Sequence, residues 1–461
     1  MKWLLALAAA ALLAACPAKA DPPVASVEVV RDGDGWTAEY RFHQQSPVWV
    51  LALSPLTRER PRSFRPESWT IDTPGVRLER RGWYDVLVAE RGNVPARVSV
   101  RFKPFTGDMA TSADPALAFT DGSVALYSVQ WKALPAAAPA EVERYPMDIG
   151  LVPGSLRPTE VVLRDRQRPV LLDGERVAEA RITGDRETYV LLGPAEPVQA
   201  AALTTVLDPA LPGRLRDFTL KALPPILERY GRLLGRAPGR KPMLMLSWNG
   251  ATQRAMFNGG VLPRQMMIAL QGRALLQDSA QMREAIRWFV AHESAHFWLG
   301  EQVIYQDARD SWMAEGGADL LGYRTMAALQ PGYSARAALQ GALDRCLAAS
   351  RRGPVGTANE RGESKAHYDC GAIFGLVAER AWGGDYPAFV RELIATNRDD
   401  EQVSRAEWLA LVERRAPGRD LPGHIGFLLD NGTANAQPWI ALLEAAGIPF
   451  RLSADGSPEF R

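Results

Sequence analysis

Histidine and cysteine are both scarce in this chain: its 461 residues hold five His and three Cys. The two internal cysteines, Cys346 and Cys370, have no metal-ligand spacing, which excludes a cysteine-built metal site. No block of like charge stands out, and the net charge is only +1. That argues against a nucleic-acid partner. Past the N-terminus, no apolar stretch approaches the roughly 20 residues needed to cross a bilayer. Internal repeats and low-complexity tracts are missing, so solenoids and arrays are excluded. Hydrophobic residues at 47% and charged residues at 23% are ordinary for a globular chain. The length calls for two or three domains.

Against this scarcity, two of the five histidines stand together in His292-Glu293-Ser294-Ala295-His296. Residues four apart share a helix face, so both rings can hold one metal ion. Glu293 between them is placed to take a proton from water. Trp288, Phe289, Val290, Ala291, Ala295, Phe297, Trp298 and Leu299 surround the motif. A helix apolar on nearly every side belongs in a domain centre. Asp278 with Gln281 offers a capping start. Two His and a Glu buried together are costly without a compensating ion.

A catalytic zinc of this kind takes two His and one carboxylate, leaving a fourth position open. Glu315, in Trp312-Met313-Ala314-Glu315-Gly316-Gly317-Ala318-Asp319, is the candidate third ligand. It falls near the start of a second helix running to about residue 329, with Asp310 as a candidate N-cap. Asp319 lies four residues on, on the same face, where it can hold the outer ring N–H of a zinc-bound His. The expected cofactor is one Zn2+ per chain.

His-Glu-x-x-His followed by Trp312-x-x-Glu315-Gly316 resembles the aminopeptidase N family of gluzincin zinc metallopeptidases. Downstream, Tyr368-Asp369-Cys370-Gly371 matches that family's Tyr-x-x-Gly. The resemblance covers about residues 205–385. It implies a thermolysin-like catalytic domain, with Tyr368 hydrogen-bonding the oxyanion of the reaction. One departure stands out. The family carries Gly-x-Met-Glu-Asn on an edge strand, its Glu gripping the substrate's free amino group. The equivalent here is Asn258-Gly259-Gly260, before a strand-like 266–270; Gly259 and Gly260 are candidate substrate-binding positions, and the Glu is absent. Glu363 is the nearest acid before Tyr368 that could replace it.

The N-terminus reads as an export signal, with Lys2 as n-region and 3–15 as an apolar run too short to span a bilayer. Two cleavage sites compete. Leu13-Ala14-Ala15-Cys16 fits a lipobox, making Cys16 a lipid anchor and the only expected membrane link; Ala18-Lys19-Ala20 fits an ordinary signal-peptidase site. Export to a bacterial periplasm favours a Cys346–Cys370 disulfide. The expected fold class is α+β: signal peptide 1–20, antiparallel β domain 21–205, catalytic domain 206–385 and a helical region 386–461. Trp36, Ala38, Tyr40 and Phe42, and likewise Ala96, Val98, Val100 and Phe102, alternate with polar residues as half-buried strands do. His43 reads as an exposed strand residue. The Ala/Pro run 135–139 reads as a linker, and 215–234 as a helix broken at Pro224-Pro225. Helices are expected over 388–396, 405–414 and 438–446.

The function these residues support is hydrolysis of peptide bonds, with His292, His296 and Glu315 as ligands, Glu293 as general base and Tyr368 as oxyanion donor. Two alternatives remain: a zinc-bound scaffold without turnover, and a zinc hydrolase of a non-peptide bond.

Overall fold

The computed structural model describes residues 22–107, 109, 114–152, 155, 159–199, 203–236 and 242–461. The signal segment and Cys16 lie outside the described residues. Among those described, no helix is long and apolar enough to cross a membrane.

The N-terminal half is built from strands. Ala25–Asp32 and Gly35–Phe42 pair in antiparallel register, and Arg97–Phe102 adds beside the second. Gly35–Phe42 alternates exposed and buried along its length, with Trp36, Ala38, Tyr40 and Phe42 inward. Period-two burial is what a sheet with one wet face demands. These strands belong to a six-stranded sheet, and a four-stranded and a five-stranded sheet complete the half. Residues 135–139 are not a linker. Ala133–Ala136 is a strand paired with Val48–Leu51, and a short helix starts at Pro139. Pro135 is tolerated because its strand lies at the sheet edge.

The second half opens on another five-stranded sheet, ordered Val198–Gln199, Thr204–Leu207, Met243–Trp248, Gln265–Gln271 and Met256–Leu262. The division therefore falls upstream of 205, since Thr204–Leu207 pairs with Met243–Trp248. Met256–Leu262 is the edge strand and runs antiparallel to Gln265–Gln271. Gly259 and Gly260 lie within it. Gly213–Leu234 runs unbroken through Pro224-Pro225. Leu223 and Ile226 are buried on either side of the prolines, and this packing holds a helix that local propensity would break.

Four helices frame the site. The motif helix is Ala280–Ala295, the ligand helix Trp312–Leu329, the bridging helix Ala335–Ser350 and the tyrosine helix Lys365–Ala381. Ser279 caps the motif helix by accepting from Met282 N–H, in place of Asp278. Residues 386–461 are no separate domain. Trp408, fully buried on the helix Arg405–Arg415, meets Trp312 edge-on at 4.9 Å, and both belong to one core with the motif helix. That region also holds the helix Leu421–Asp430, which its Pro and Gly residues disguise, and the hairpin Phe450–Leu452 with Pro458–Phe460.

The two halves are bonded through buried groups. Gln265 donates to Tyr189 O at 3.0 Å and accepts from Tyr189 N–H at 2.8 Å. Around this pair, Leu171 and Tyr127 from the first half meet Met245 and Met267 from the second. Burying that apolar seam holds the two halves together, and the edge strand is bonded to the first half through Asn258 and Asp114.

Candidate metal centre and active site

His292 sits in the last turn of the motif helix, and His296 is its C-cap with helical backbone angles. Their Nε2 atoms face each other 3.2 Å apart. Glu315, in the first turn of the ligand helix, brings Oε2 to 3.4 Å from each of them. At that range these are ion-pair contacts, and the buried Oε2 has no directed hydrogen bond. Among the described residues, these three form the group of His, Cys, Asp and Glu close enough to share an ion, their ligand atoms all within 4.8 Å.

Each imidazole is held from behind. Asp319 Oδ1 lies 2.8 Å from His292 Nδ1, and Leu299 O lies 2.8 Å from His296 Nδ1. An Nδ1–H donating to these oxygens leaves both Nε2 lone pairs aimed at the centre. Burial alone would favour a neutral His292. The hydrogen bond to Asp319 and the close carboxylate of Glu315 outweigh it and raise its pKa to about 10. Burial opposes charge on Glu315 too, yet the flanking imidazoles hold its carboxyl well below the usual range. A buried, two-imidazole, one-carboxylate set with an orphaned oxygen fits a divalent zinc.

Glu293 is buried between the ligands, and burial pushes its carboxyl up while the two histidines pull it down. Tyr368 lies with its ring stacked on His292, centroids 5.5 Å apart at 18°. Burial, then the negative charge of Glu315 and Glu293, lifts its phenol well above the ordinary value, so it stays a donor. The disulfide Cys346–Cys370 ties the bridging helix to the tyrosine helix, two residues past Tyr368.

Three features escape a reading of the sequence. His367 is fully buried; its Nε2–H donates to Val355 O at 2.8 Å and its Nδ1 meets Ser311 Oγ at 2.5 Å. It therefore ties the start of the tyrosine helix to Ser311, the N-cap of the ligand helix, and burial keeps it neutral. Asp310 is not that cap; it accepts from Trp312 Nε1 at 3.1 Å. Asp114 of the N-terminal half takes a hydrogen bond from Asn258 Nδ2 on the edge strand. Lys365 lies over the Tyr368 ring. The signal for His367 and Lys365 was their place beside Tyr368; Asp114 gave none. Glu363 is not near the edge strand by any bond, being engaged by Arg352 and Arg361. His43 is exposed, in the bend one residue past the strand Gly35–Phe42 and not within it.

Residues 246–355 match the family model of the Peptidase family M1 domain. No curated protein matches the sequence. Among solved structures, an aminopeptidase N family protein from Idiomarina loihiensis is similar over 94% of this chain and 81% of its own, with TM-score 0.59 and 12% identity. Native yeast LTA4 hydrolase is similar over 86% of this chain, with TM-score 0.51 and 12% identity; this chain spans 64% of its length. At such identity these likenesses speak to fold, and they extend the aminopeptidase N architecture over both halves. Residues 246–355 thus match the Peptidase family M1 domain, and the two His and one Glu they hold together fit a single catalytic zinc.

Proposed function

We propose that the protein is an exported zinc-dependent peptidase in which His292, His296 and Glu315 hold the ion, Glu293 is the general base and Tyr368 the oxyanion donor. The observation that carries this reading is the cluster of His292, His296 and Glu315, with Glu293 buried on the same helix and Tyr368 stacked on His292, beside an edge strand. An extended peptide can add to the free edge of Met256–Leu262 through backbone hydrogen bonds. Gly259 lets that strand pack closely on the motif helix, because a Cβ there would lie 2.7 Å from the Phe289 ring and 2.8 Å from Met267 O. When bound, zinc supplies Lewis acidity to the scissile carbonyl and eases the ionisation of water. Glu293 accepts the proton of the attacking water and returns it to the leaving amine. The Tyr368 phenol, kept protonated by burial and flanking carboxylates, donates to the oxygen on which charge develops.

The edge strand carries no carboxylate, and the acid bonded to it, Asp114, is taken up by Asn258. On this reading no dedicated group grips a substrate amine, and cleavage is not confined to the first residue. The Cys346–Cys370 bridge suits an oxidising compartment outside the cytoplasm. There Cys16, if lipidated, would hold the enzyme at a membrane; otherwise the leader ending near residue 20 is removed.

The test is a digest of a peptide library by wild type and Glu293→Gln, scoring new amino termini. Gln is nearly isosteric but cannot take a proton, so turnover falls about 10²–10⁴-fold while zinc is kept. Near wild-type cleavage by the variant would remove Glu293 from the mechanism. No cleavage by wild type, with one zinc bound, would leave the scaffold reading standing.

A further inference from the structure

Lys365 is the first residue of the tyrosine helix, one turn before Tyr368. Residues three apart are neighbours on a helix surface. Its Nζ lies 4.5 Å from the centre of the Tyr368 ring and 5.7 Å from that of Trp288. The same Nζ stands 3.7 Å from Asp319 Oδ2. Asp319 is fully buried, and its other oxygen faces His292 Nδ1 at 2.8 Å. One ammonium therefore touches both the ring of the oxyanion donor and the carboxylate that orients a ligand.

An ordinary surface lysine extends into water, where its ammonium is best hydrated. Lys365 keeps about half of its side chain exposed, yet turns its charged end onto two rings and a buried carboxylate. The charges explain the preference. Glu293, Glu315 and Asp319 bring three carboxylates into one buried cluster, and a divalent ion answers two. The ammonium of Lys365 answers the third.

We propose that Lys365 is a positioning residue for the reaction, holding the Tyr368 ring over the centre and strengthening its phenol as a donor. A cation on the ring face is attracted by the ring quadrupole and fixes the ring's tilt. It also draws electron density from the ring, which polarises the O–H. Lys365 binds neither zinc nor substrate; it acts through Tyr368, and its contact with Asp319 anchors the ammonium there. The inference rests on the peptidase reading and deepens it.

The experiment compares Lys365→Met, Lys365→Arg, Tyr368→Phe and the double variant Lys365→Met/Tyr368→Phe with wild type, all zinc-loaded. Met keeps the length of the stem and removes the charge. Its kcat is expected to fall about three- to thirtyfold, with KM and zinc content unchanged. Arg, which stacks on the ring with its charge intact, restores most of the rate. A phosphinic pseudopeptide, which mimics the tetrahedral intermediate, loses affinity for Lys365→Met by the same factor as kcat/KM. Within the Tyr368→Phe background, the Lys365→Met change costs almost nothing further. Equal loss in Met and Arg, or full additivity with Tyr368→Phe, would overturn the inference. So would wild-type kcat in Lys365→Met alongside a slow Tyr368→Phe, which leaves the peptidase reading intact. A wild type that cleaves no peptide overturns both.

Discussion

Removing the Asp319 carboxylate tests the centre from behind. Its Oδ1 faces His292 Nδ1 at 2.8 Å, and Oδ2 lies 3.3 Å from Tyr323 OH and 3.7 Å from Lys365 Nζ. Asp319→Ala leaves a buried N–H without an acceptor, a cost of about 1–3 kcal/mol. Partners that orient a metal-bound His are typically worth about 10–100-fold in metal affinity, or 1.4–2.8 kcal/mol, so the two estimates agree. Asp319 also favours the proton that competes for His292, but it favours a dication more, and the net effect is loss. Asp319→Asn keeps an acceptor for Nδ1–H while turning an amide donor toward Lys365 and Tyr323. Its loss is expected to fall between wild type and Ala, at about tenfold. Competition with a chromophoric chelator gives the zinc Kd, with circular dichroism as the check on folding. A folded Asp319→Ala that binds zinc as tightly as wild type would show that His292 is not oriented this way, or is not a ligand.

Four further outcomes are expected. Glu315→Ala loses most of its zinc, by metal analysis of the purified protein, and stoichiometric zinc in a Glu315→Ala/His296→Ala double variant would sink the ligand assignment. The Cys346–Cys370 bridge closes a separation of 24 residues, worth about 3.5 kcal/mol on the chain-entropy estimate; Cys346→Ser/Cys370→Ser should lose that much in urea unfolding. Two free thiols in the unfolded, unreduced mature chain would refute the bridge outright. Burial lifts the Glu301 carboxyl to about 7, so its stabilising share is complete below the unfolded value near 4.3 and is lost as pH rises through 7. Glu301→Gln, which keeps an acceptor for Arg264 N–H, should equal wild type near pH 4 and exceed it by up to about 4 kcal/mol above pH 8; equal stability at both would refute the shift. Peptides with acetylated amino termini should be cleaved as well as free ones, and cleavage only after the first residue of free peptides would reveal an amine anchor.

What the sequence exposed and what it hid divide along physical lines. His292, His296 and Glu315 were legible because the ligand spacing is local, and two imidazoles buried on one helix are costly unless an ion compensates them. The strand alternation at Trp36–Phe42 was legible for a similarly local reason: one face meets the core and the other water. The hidden parts depend on distant chain. Asp114 pairs with Asn258, 144 residues away in the chain, a pairing no local pattern encodes. Gly213–Leu234 survives its two prolines through tertiary burial, which outweighs propensity. Leu421–Asp430 keeps Leu421, Ile425, Leu428 and Leu429 inward despite Pro422 and Gly423, so the helical face was present beneath breaker residues. Boundaries misled most. The sheet of the second half recruits Val198–Gln199, Thr204 and Thr205 from before the expected division, and the C-terminal helices close the core around Trp312.

The backbone crossing between the ligand and tyrosine helices has a mechanical consequence. A Cβ on Gly316 would lie 2.1 Å from Gly371 C, and one on Gly371 would lie 2.3 Å from Trp312 O. These glycines sit beside Glu315 and three residues from Tyr368, at the level of the centre. They act as a spacer of fixed thickness between two jaws. A single methyl group inserted there must spread the helices by an ångström or more, because the obstruction is backbone and cannot rotate aside. The carboxylate would then move with one jaw and the phenol with the other, so the gap they jointly define would open. Tolerance at this crossing, far finer than at the exposed helix faces, sets how accurately the two groups are gauged against each other.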